Sequence, residues 1–192
     1  IGAATISILT TFGILFSILF EAIEFFKLRS FWYFITGTTW SPGVIGSQFG
    51  ALPIFAGTFV ITIIALGVAI PVGLGSAIYM SEYASPKLRD YLKPLLEVLA
   101  GIPSVVYGFF AAITVAPLVV KAAESVGLEA TFNSALASGI VMGIMIIPTI
   151  SSLSDDVIRS VPDSQRKAAF GLGMTHGETI KDIVLPSAMP GI

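Results

Sequence analysis

The segment from Lys167 to Pro186 reads KAAFGLGMTHGETIKDIVLP and is a short polar stretch in a chain that is otherwise rich in long apolar runs. Just before it, Pro162 and Asp163 are typical of the start of a helix. Gly173 is suited to the left-handed turn that ends a helix, because glycine has no Cβ to clash there. The segment therefore predicts one helix that ends near Gly173.

A second helix is predicted directly after that turn. Thr175 and Glu178 have the T-x-x-E spacing of a capping box, in which each residue satisfies an N–H group of the other. Pro186 is expected to terminate this helix, because proline has no N–H to donate. Ala168 and Ala169 form a small-residue face on which a partner backbone could approach closely. The pair is predicted to dock another protein; the alternative is an amphipathic surface loop without a partner.

The composition indicates an integral membrane protein. Of 192 residues, 55% are hydrophobic and 11% are charged, and the mean hydropathy is +0.92, whereas soluble domains have about 25% charged residues. Four windows without Asp, Glu, Lys or Arg reach the roughly 20 residues that a spanning helix needs: Ile1 to Phe20, Ala51 to Ser81, Val98 to Val120 and Ala130 to Ser154. Four transmembrane helices are predicted. The absence of cysteine excludes disulfides and thiolate metal sites.

The basic residues predict the orientation, because Lys and Arg concentrate in cytoplasmic loops. The loops after the second and fourth spans hold Lys87, Arg89, Lys93, Arg159, Arg166, Lys167 and Lys181, and the opposite side holds Lys27, Arg29 and Lys121. The helical pair is therefore predicted to be cytoplasmic. An aromatic cluster on the other side is suited to the outer membrane interface; it consists of Trp32, Tyr33, Phe34 and Trp40.

The helical pair resembles the cytoplasmic loop signature of ABC-importer permeases. The matching positions are Ala168, Ala169, Gly173, Ile183, Leu185 and Pro186. Lys167 departs from the family, which most often has an acidic residue there. The WSP string at Trp40, the run from Ala65 to Ser85 and IPSVVYG at Ile102 to Gly108 resemble the C-type permease subunit of the bacterial phosphate-specific ABC importer (PstC-like).

This resemblance implies an all-α, polytopic transmembrane helical bundle with the type I ABC importer permease (MetI-like) fold. Residues 1–192 would form one ABC transmembrane domain with four spans and a cytoplasmic coupling-helix pair at about 155–186, in the plasma (inner) membrane of a bacterium or archaeon. The chain is expected to be truncated at both ends, because its first residues already read as mid-membrane sequence and because family members continue beyond the Leu-Pro signature.

The implied partners are a second, A-type permease, two ATPase subunits, an extracytoplasmic phosphate-binding protein and membrane lipid, and no nucleic acid. No GxxxxGK[ST] motif occurs, and the glycines at 171, 173 and 177 miss the dinucleotide fingerprint by one residue. We therefore expect the chain not to be an enzyme and to hold no cofactor, with ATP and Mg²⁺ on the ATPase subunits. A metal site is not expected either.

A phosphate pathway requires hydrogen-bond donors inside the spans, and the four windows contain no Lys or Arg. Ser104 and Tyr107 are the candidate donors, with N–H groups loosened around Gly101 and Gly108; weaker candidates are Ser138 and Thr149. A plain packing role for these side chains is an open alternative. The second and third spans are expected to be interrupted, by Pro71 and Pro103, and to face protein or a pathway.

Two further ionisable residues are ambiguous. Glu97, the acidic residue nearest a span, is expected to pair with Lys93, and an ion pair with Arg159 that gates the pathway is the alternative. His176 is expected to make a surface contact. For the whole chain, a permease for another oxyanion, such as molybdate or sulfate, is the nearest alternative. An ion-coupled secondary transporter is disfavoured because it would place an ionisable residue in mid-membrane.

Overall fold

The computed structural model describes residues 2–43, 46–125, 127 and 134–192, and the chain divides into two compact units, Ile1–Thr58 and Phe59–Ile192. The described residues are almost all helical, and the one sheet among them has two short strands. The prediction of an all-α fold is confirmed. That the two units form a single ABC transmembrane domain stays a prediction.

The first unit holds a long helix, a short helix and a hairpin. These are α1 (Gly2–Leu28), α2 (Phe31–Thr36), β1 (Trp40–Ser41) and β2 (Gln48–Phe49). The strands pair antiparallel, with Trp40 opposite Phe49. The aromatic segment that the sequence places at the outer interface is therefore folded into a helix and a hairpin.

Edge-to-face ring contacts hold this region together. The ring centroid of Phe25 lies 5.8 Å from that of Phe34 and 5.6 Å from that of Phe49, and the ring centroids of Trp40 and Phe49 are 5.9 Å apart. Such pairs stabilise beyond their buried area by about 0.5–1.5 kcal/mol each. Trp32, by contrast, is exposed, so only part of the predicted aromatic cluster packs within the chain.

The helices that follow contain three π-helical turns among the described residues. In chain order the elements are α3 (Leu52–Ile78), a π turn (Tyr79–Tyr83), α4 (Pro86–Ala100), α5 (Ser104–Phe110), a π turn (Ala111–Val115), α6 (Ala116–Ser125), α7 (Ala135–Ser160), α8 (Asp163–Gly171), α9 (His176–Thr179), a π turn (Ile180–Val184), α10 (Leu185–Ala188) and a 3₁₀ turn (Met189–Gly191). Wide turns of this kind often mark functional positions in helices. The sequence analysis did not anticipate them.

Among the described residues, four helical segments are long and apolar enough to cross a membrane, which confirms the predicted number of spans. They are Gly2–Leu28, Leu52–Tyr83, Ser104–Ser125 and Ala135–Ser160. Their ends extend into charged sequence that the charge-free windows had excluded. Of the predicted fourth window, residues 130–133 lie outside the described residues.

The start of the third span was predicted wrongly. It begins at Ser104 rather than Val98, because α4 continues to Ala100 and a break follows. The break ends in Pro103, which has no N–H and pushes the residue before it away from helical geometry. The segment from Leu99 to Phe110 therefore belongs to two helices instead of opening one.

Pro71 does not interrupt the second span, contrary to the sequence-based expectation. Helix α3 runs continuously through it, and α7 likewise runs through Pro148. Proline is tolerated in membrane helices where neighbouring groups compensate the lost hydrogen bond. In α3 every fourth residue is small and buried: Ala65, Ala69, Gly73 and Ala77.

This small-residue stripe packs against α7 at backbone distance. A Cβ built on Gly143 would lie 2.8 Å from the carbonyl oxygen of Ala65, and one built on Gly139 would lie 2.6 Å from the Cβ of Ile64. Small residues at such interfaces let helix backbones approach closely. The expectation that these spans face protein is met along this seam.

Gly143→Ala is expected to destabilise the protein by about 1–3 kcal/mol, because the added methyl group meets a backbone carbonyl that cannot move aside. The midpoint of chemical unfolding in detergent, followed by circular dichroism, measures the effect. Gly75→Ala is the matched control, since a Cβ at Gly75 meets nothing within 4 Å. An equal effect of both substitutions would contradict close α3–α7 packing.

Beyond α7 the chain folds back on the ends of the spans. A buried apolar cluster joins α3, α7 and the last helices and consists of Ala77, Ile158, Val161, Val184 and Ala188. Pro186 does not terminate the second helix of the pair, because a π turn leads into α10 and the proline sits among its first residues. A proline at such a position loses no intrahelical hydrogen bond.

Candidate functional site

A cavity of about 510 Å³ lies between the third and fourth spans. Its walls come from α5, the π turn Ala111–Val115, the start of α6 and the first turns of α7. Small side chains line most of it, together with Met142 and Met145, and its hydroxyl groups come from Ser104, Tyr107 and Ser138. Among the residues that the structure describes, none of those lining the cavity is charged.

The hydroxyl groups of the cavity differ in availability. Tyr107 donates its hydroxyl hydrogen to the carbonyl oxygen of Leu99 at 3.0 Å. Within the described part of the chain, the hydroxyls of Ser104 and Ser138 have no hydrogen-bond partner. Two hydroxyl donors are therefore free to meet a polar molecule in the cavity, and a third is already engaged.

The other predicted pathway residues lie in different places. Gly108 lines the cavity from within α5. Gly101 lies outside it, in the break before α5, and its N–H is bonded to the carbonyl oxygen of Glu97 at 3.0 Å, so this group is not loosened. Thr149 is an exposed residue of α7 and does not line the cavity. The structure brings Ser104, Tyr107 and Gly108 together with Ser138.

The helical pair on the opposite end of α7 has the local geometry that its sequence predicts. Helix α8 ends in a turn in which Gly173 has a φ of 86°. In the next turn the Thr175 hydroxyl accepts from the Glu178 N–H, and the Glu178 carboxylate accepts from the Thr175 N–H at 2.8 Å. The predicted capping box is present.

Protonation of Glu178 would weaken this cap. Hydrogen bonds, first from the backbone N–H and then from the hydroxyl of Thr175, lower the pKa of Glu178. A carboxyl group whose folded pKa is depressed contributes stability above its unfolded pKa and loses it as the pH falls through the folded pKa. The second helix of the pair is therefore fully capped at neutral pH, and its cap weakens only in acid, because the bond from the Glu178 N–H to the Thr175 hydroxyl does not depend on the carboxylate.

The coupling residues predicted from the sequence do not all face outward. Ala169 is buried within the chain and Ala168 is exposed. Leu172, directly before Gly173, is a large apolar side chain of the pair that is 85% accessible. Of the closing residues, Ile183 and Leu185 are half-buried. A partner would therefore meet the turn at Leu172 rather than the face of Ala169.

Arg166 links the helical pair to the ends of two spans through an ion pair and hydrogen bonds. Its guanidinium bonds Glu82, in the π turn at the end of the second span, at 2.9 Å. It also donates to the carbonyl oxygens of Ile158 at 3.0 Å and Val161 at 2.5 Å, at the end of α7. The Glu82 side chain is almost buried. One side chain of α8 thus joins both spans.

His176 makes the surface contact that the sequence predicts. Its ring stands edge-on to Tyr83, with centroids 5.1 Å apart, and stacks on Phe170 at 6.2 Å. Its Nε2 lies 3.9 Å from a carboxylate oxygen of Glu82. The imidazole therefore fills the corner between α8, α9 and the end of the second span.

A second set of ion pairs, called here the ionic seam, joins α4 to α7. Arg89 donates to the buried carboxylate of Asp155, at 2.6 Å from Nη2 and 3.4 Å from Nε. Hydrogen bonding to Asp155 raises the pKa of Arg89, and burial opposes this effect. Lys93 pairs with Asp156, so the predicted Lys93–Glu97 pair is wrong. Glu97 is exposed, and among the described residues it has no ion pair with Arg159 either.

The sequence analysis missed Asp155, which lies within the fourth span as the structure has it. The charge-free window ends at Ser154, and Glu97 is the acidic residue that the sequence predicts nearest a span. A signal was present: Asp155 and Asp156 follow an apolar run, and Arg89 and Lys93 are spaced four residues apart, on one face of a helix. Spacing alone does not say that the two sets meet.

Comparison with known proteins gives consistent matches. A family model described as binding-protein-dependent transport system inner membrane component matches residues 69–192. The probable ABC transporter permease protein YqgH of Bacillus subtilis is 38% identical over 157 residues, covering 82% of this chain and 50% of that protein. The phosphate transport system permease protein PstC 1 of Mycobacterium tuberculosis is 32% identical over 201 residues, covering 90% of this chain and 59% of that protein.

A third relative, the phosphate transport system permease protein PstC of Mesorhizobium japonicum, is 34% identical over 174 residues, 83% of this chain and 53% of that protein. The chain thus spans 50–59% of the length of these relatives. Among solved structures, an inward-facing MetNI methionine ABC transporter superposes with a TM-score of 0.49 at 18% identity, covering 73% of this chain and 62% of that chain.

These relatives confirm the resemblance read from the cytoplasmic signature and from the segment at Ile102 to Gly108. The matched region begins inside α3 and includes the cavity, the ionic seam and the helical pair. With four helices able to span a bilayer, the chain is a multi-pass protein of the inner membrane. It belongs to the family of binding-protein-dependent transport system inner membrane components.

Proposed function

We propose that this chain is part of a permease subunit of an ATP-driven importer of inorganic phosphate. It forms half of the anion pathway and receives motion from a separate ATPase through the helical pair α8–α9. The chain itself carries out no catalysis, and ATP and Mg²⁺ bind to the ATPase subunits.

The main support for this proposal is that α7 extends from the cavity to the helical pair. At one end, Ser138 of this helix lines the cavity. At the other end, the carbonyl oxygen of Ile158 accepts from Arg166 of the helical pair. The 20 residues between them correspond to about 30 Å of helix. A displacement of the pair would therefore be transmitted to the cavity wall through one rigid element.

The chemistry of the cavity is compatible with an oxyanion. Among the described residues, Ser104 and Ser138 offer hydroxyls without a partner, and no carboxylate in the lining would repel a negative charge. Removing an anion from water costs several kcal/mol unless charges or hydrogen bonds offset it. Because the described lining residues include no cation, we assign the remaining donors to a second permease of the A type. The identification of phosphate rests on the names of the relatives.

The assembly that follows from this proposal has the second permease, two ATPase subunits and an extracytoplasmic phosphate-binding protein. The anion that stimulates ATP hydrolysis by this assembly identifies its substrate. When the complete transporter is reconstituted in liposomes, binding protein loaded with phosphate is expected to stimulate ATPase activity and phosphate uptake together. Empty binding protein is the control and should leave the basal rate unchanged.

Molybdate and sulfate, each presented with its own binding protein, provide the competing arms of the same measurement. Stimulation confined to either of them would overturn phosphate as the substrate and leave the permease assignment intact. Phosphate uptake that persists without ATP would instead contradict an ATP-driven importer.

A further inference from the structure

Helix α4 carries an apolar stripe that nothing in the described part of the chain covers. Leu88, Tyr91, Leu95 and Val98 follow one another at spacings of three, four and three residues, which places them on one side of a helix. All four are exposed, Tyr91 by 75% and Val98 by 69%. An uncovered stripe of this length requires an apolar environment.

Two other sides of α4 carry charged residues and have different neighbours. Arg89 and Lys93, four residues apart, bond the carboxylates of α7. Asp90 and Glu97 are exposed, lie on a third side and have no ion pair among the described residues. One side of the helix is thus bonded to α7, a second carries exposed carboxylates that are stable in water, and the third is the apolar stripe.

The position of α4 in the chain limits what the stripe can meet. Two residues separate it from the end of the second span at Tyr83, and three separate it from the start of the third span at Ser104. Because consecutive spans cross in opposite directions, both connections lie at the same membrane surface. A helix of this length covers about 22 Å, so α4 remains beside that surface along its whole length.

We propose that α4 lies in the membrane–water interface on the cytoplasmic side, with the stripe Leu88, Tyr91, Leu95 and Val98 inserted among the lipid acyl chains. Helices with one strongly apolar side and low overall hydrophobicity bind membranes in this orientation. Tyrosine is enriched at this depth, where its ring is apolar and its hydroxyl reaches water.

The charges of α4 predict insertion driven by apolar contact rather than by anionic lipid. Arg89 and Lys93 are neutralised by α7, which leaves Lys87 against Asp90 and Glu97. With no excess of positive charge outside the ion pairs, the helix gains little from a negative surface. Its depth should therefore be the same in zwitterionic vesicles and in vesicles with anionic lipid.

Spin labels at adjacent positions test this proposal, and residues 1–192 contain no cysteine that would interfere. Tyr91→Cys places a label on the stripe and Asp90→Cys places one on the water-facing side. The pair Val98→Cys and Glu97→Cys repeats the comparison, should a variant at the first pair fail to fold. The labelled, complete transporter is reconstituted in vesicles, and any cysteines elsewhere in it are replaced.

Collisions with oxygen, which concentrates in lipid, and with a water-soluble nickel chelate distinguish the environments. Labels at 91 and 98 are expected to collide with oxygen severalfold more often than with the nickel chelate. Labels at 90 and 97 are expected to collide more often with the nickel chelate, and both results should be the same in the two kinds of vesicle. Equal access of the nickel chelate at 91 and 90 would overturn the proposal. Shielding of 91 and 98 from both reagents would overturn it too, because a protein would then cover the stripe.

Discussion

Leu172→Asp is expected to abolish ATP-driven uptake by the assembled transporter without preventing membrane insertion. Leu172 is 85% exposed at the turn between α8 and α9, where the proposed ATPase would dock. Burial of a leucine side chain at such a contact stabilises it by about 1.5–3 kcal/mol. Loss of about 3 kcal/mol weakens association roughly 100-fold, and a desolvated carboxylate adds to the loss.

The substitution separates docking from folding better than one at the neighbouring glycine. Gly173 has a φ of 86°, a left-handed conformation that strains most other residues. An aspartate there would disturb the turn as well as any contact. Leu172 has an ordinary backbone conformation, with a φ of −85°, so its side chain can be changed alone.

Leu172→Met is the matched control, because it keeps an apolar side chain of similar volume and should transport normally. Co-purification of the ATPase and phosphate uptake in proteoliposomes are measured for both variants, with the level of inserted protein as the reference. Wild-type co-purification and uptake in Leu172→Asp would show that the partner does not use this turn.

The features that the sequence predicted well are local ones. The capping box of Thr175 and Glu178 and the left-handed turn at Gly173 each depend on residues within a few positions of one another. Such signals specify helix ends whatever the rest of the chain does. The number of spans was predictable for a related reason, since a bilayer requires about 20 apolar residues in succession.

Contacts between distant parts of the chain were not predictable in this way. The bond from Arg166 to Glu82 joins residues 84 positions apart, and that from Arg89 to Asp155 joins residues 66 apart. The charge-free window that predicts the fourth span ends at Ser154, because Asp155 follows and an unpaired charge is expensive in a membrane. The helix continues because that charge has a partner from α4.

In the candidate pathway, too, local features were predictable from the sequence and long-range contacts were not. Ser104, Tyr107 and Gly108 lie in one short segment, so their shared cavity needed little tertiary information. The carbonyl partner of the Tyr107 hydroxyl depends on how the chain turns at Pro103, which composition does not reveal. The role of the cavity in transport stays a prediction.

Arg89→Ala is expected to destabilise the protein by about 3–5 kcal/mol, because it leaves the Asp155 carboxylate buried without its partner. Asp155 is fully buried, and among the described residues its side chain is bonded by Arg89 alone. The midpoint of chemical unfolding in detergent measures the change. Loss of ATP-driven uptake should accompany it, since α4 would separate from α7.

Lys93→Ala is the control, because it breaks the neighbouring pair with Asp156, whose side chain is 54% exposed. Exposed ion pairs contribute about 0–1 kcal/mol, so this variant should stay close to the wild type. The double substitution Arg89→Met with Asp155→Leu adds a further comparison. Replacing both charges of a buried pair by apolar residues is often neutral or stabilising.

The double variant should therefore recover most of the stability lost in Arg89→Ala. If it recovers stability but not uptake, the Arg89–Asp155 bond has a role in transport beyond holding α4 in place. Equal destabilisation by Arg89→Ala and Lys93→Ala would contradict the burial of Asp155, because the difference between the two pairs rests on how far each carboxylate is removed from water.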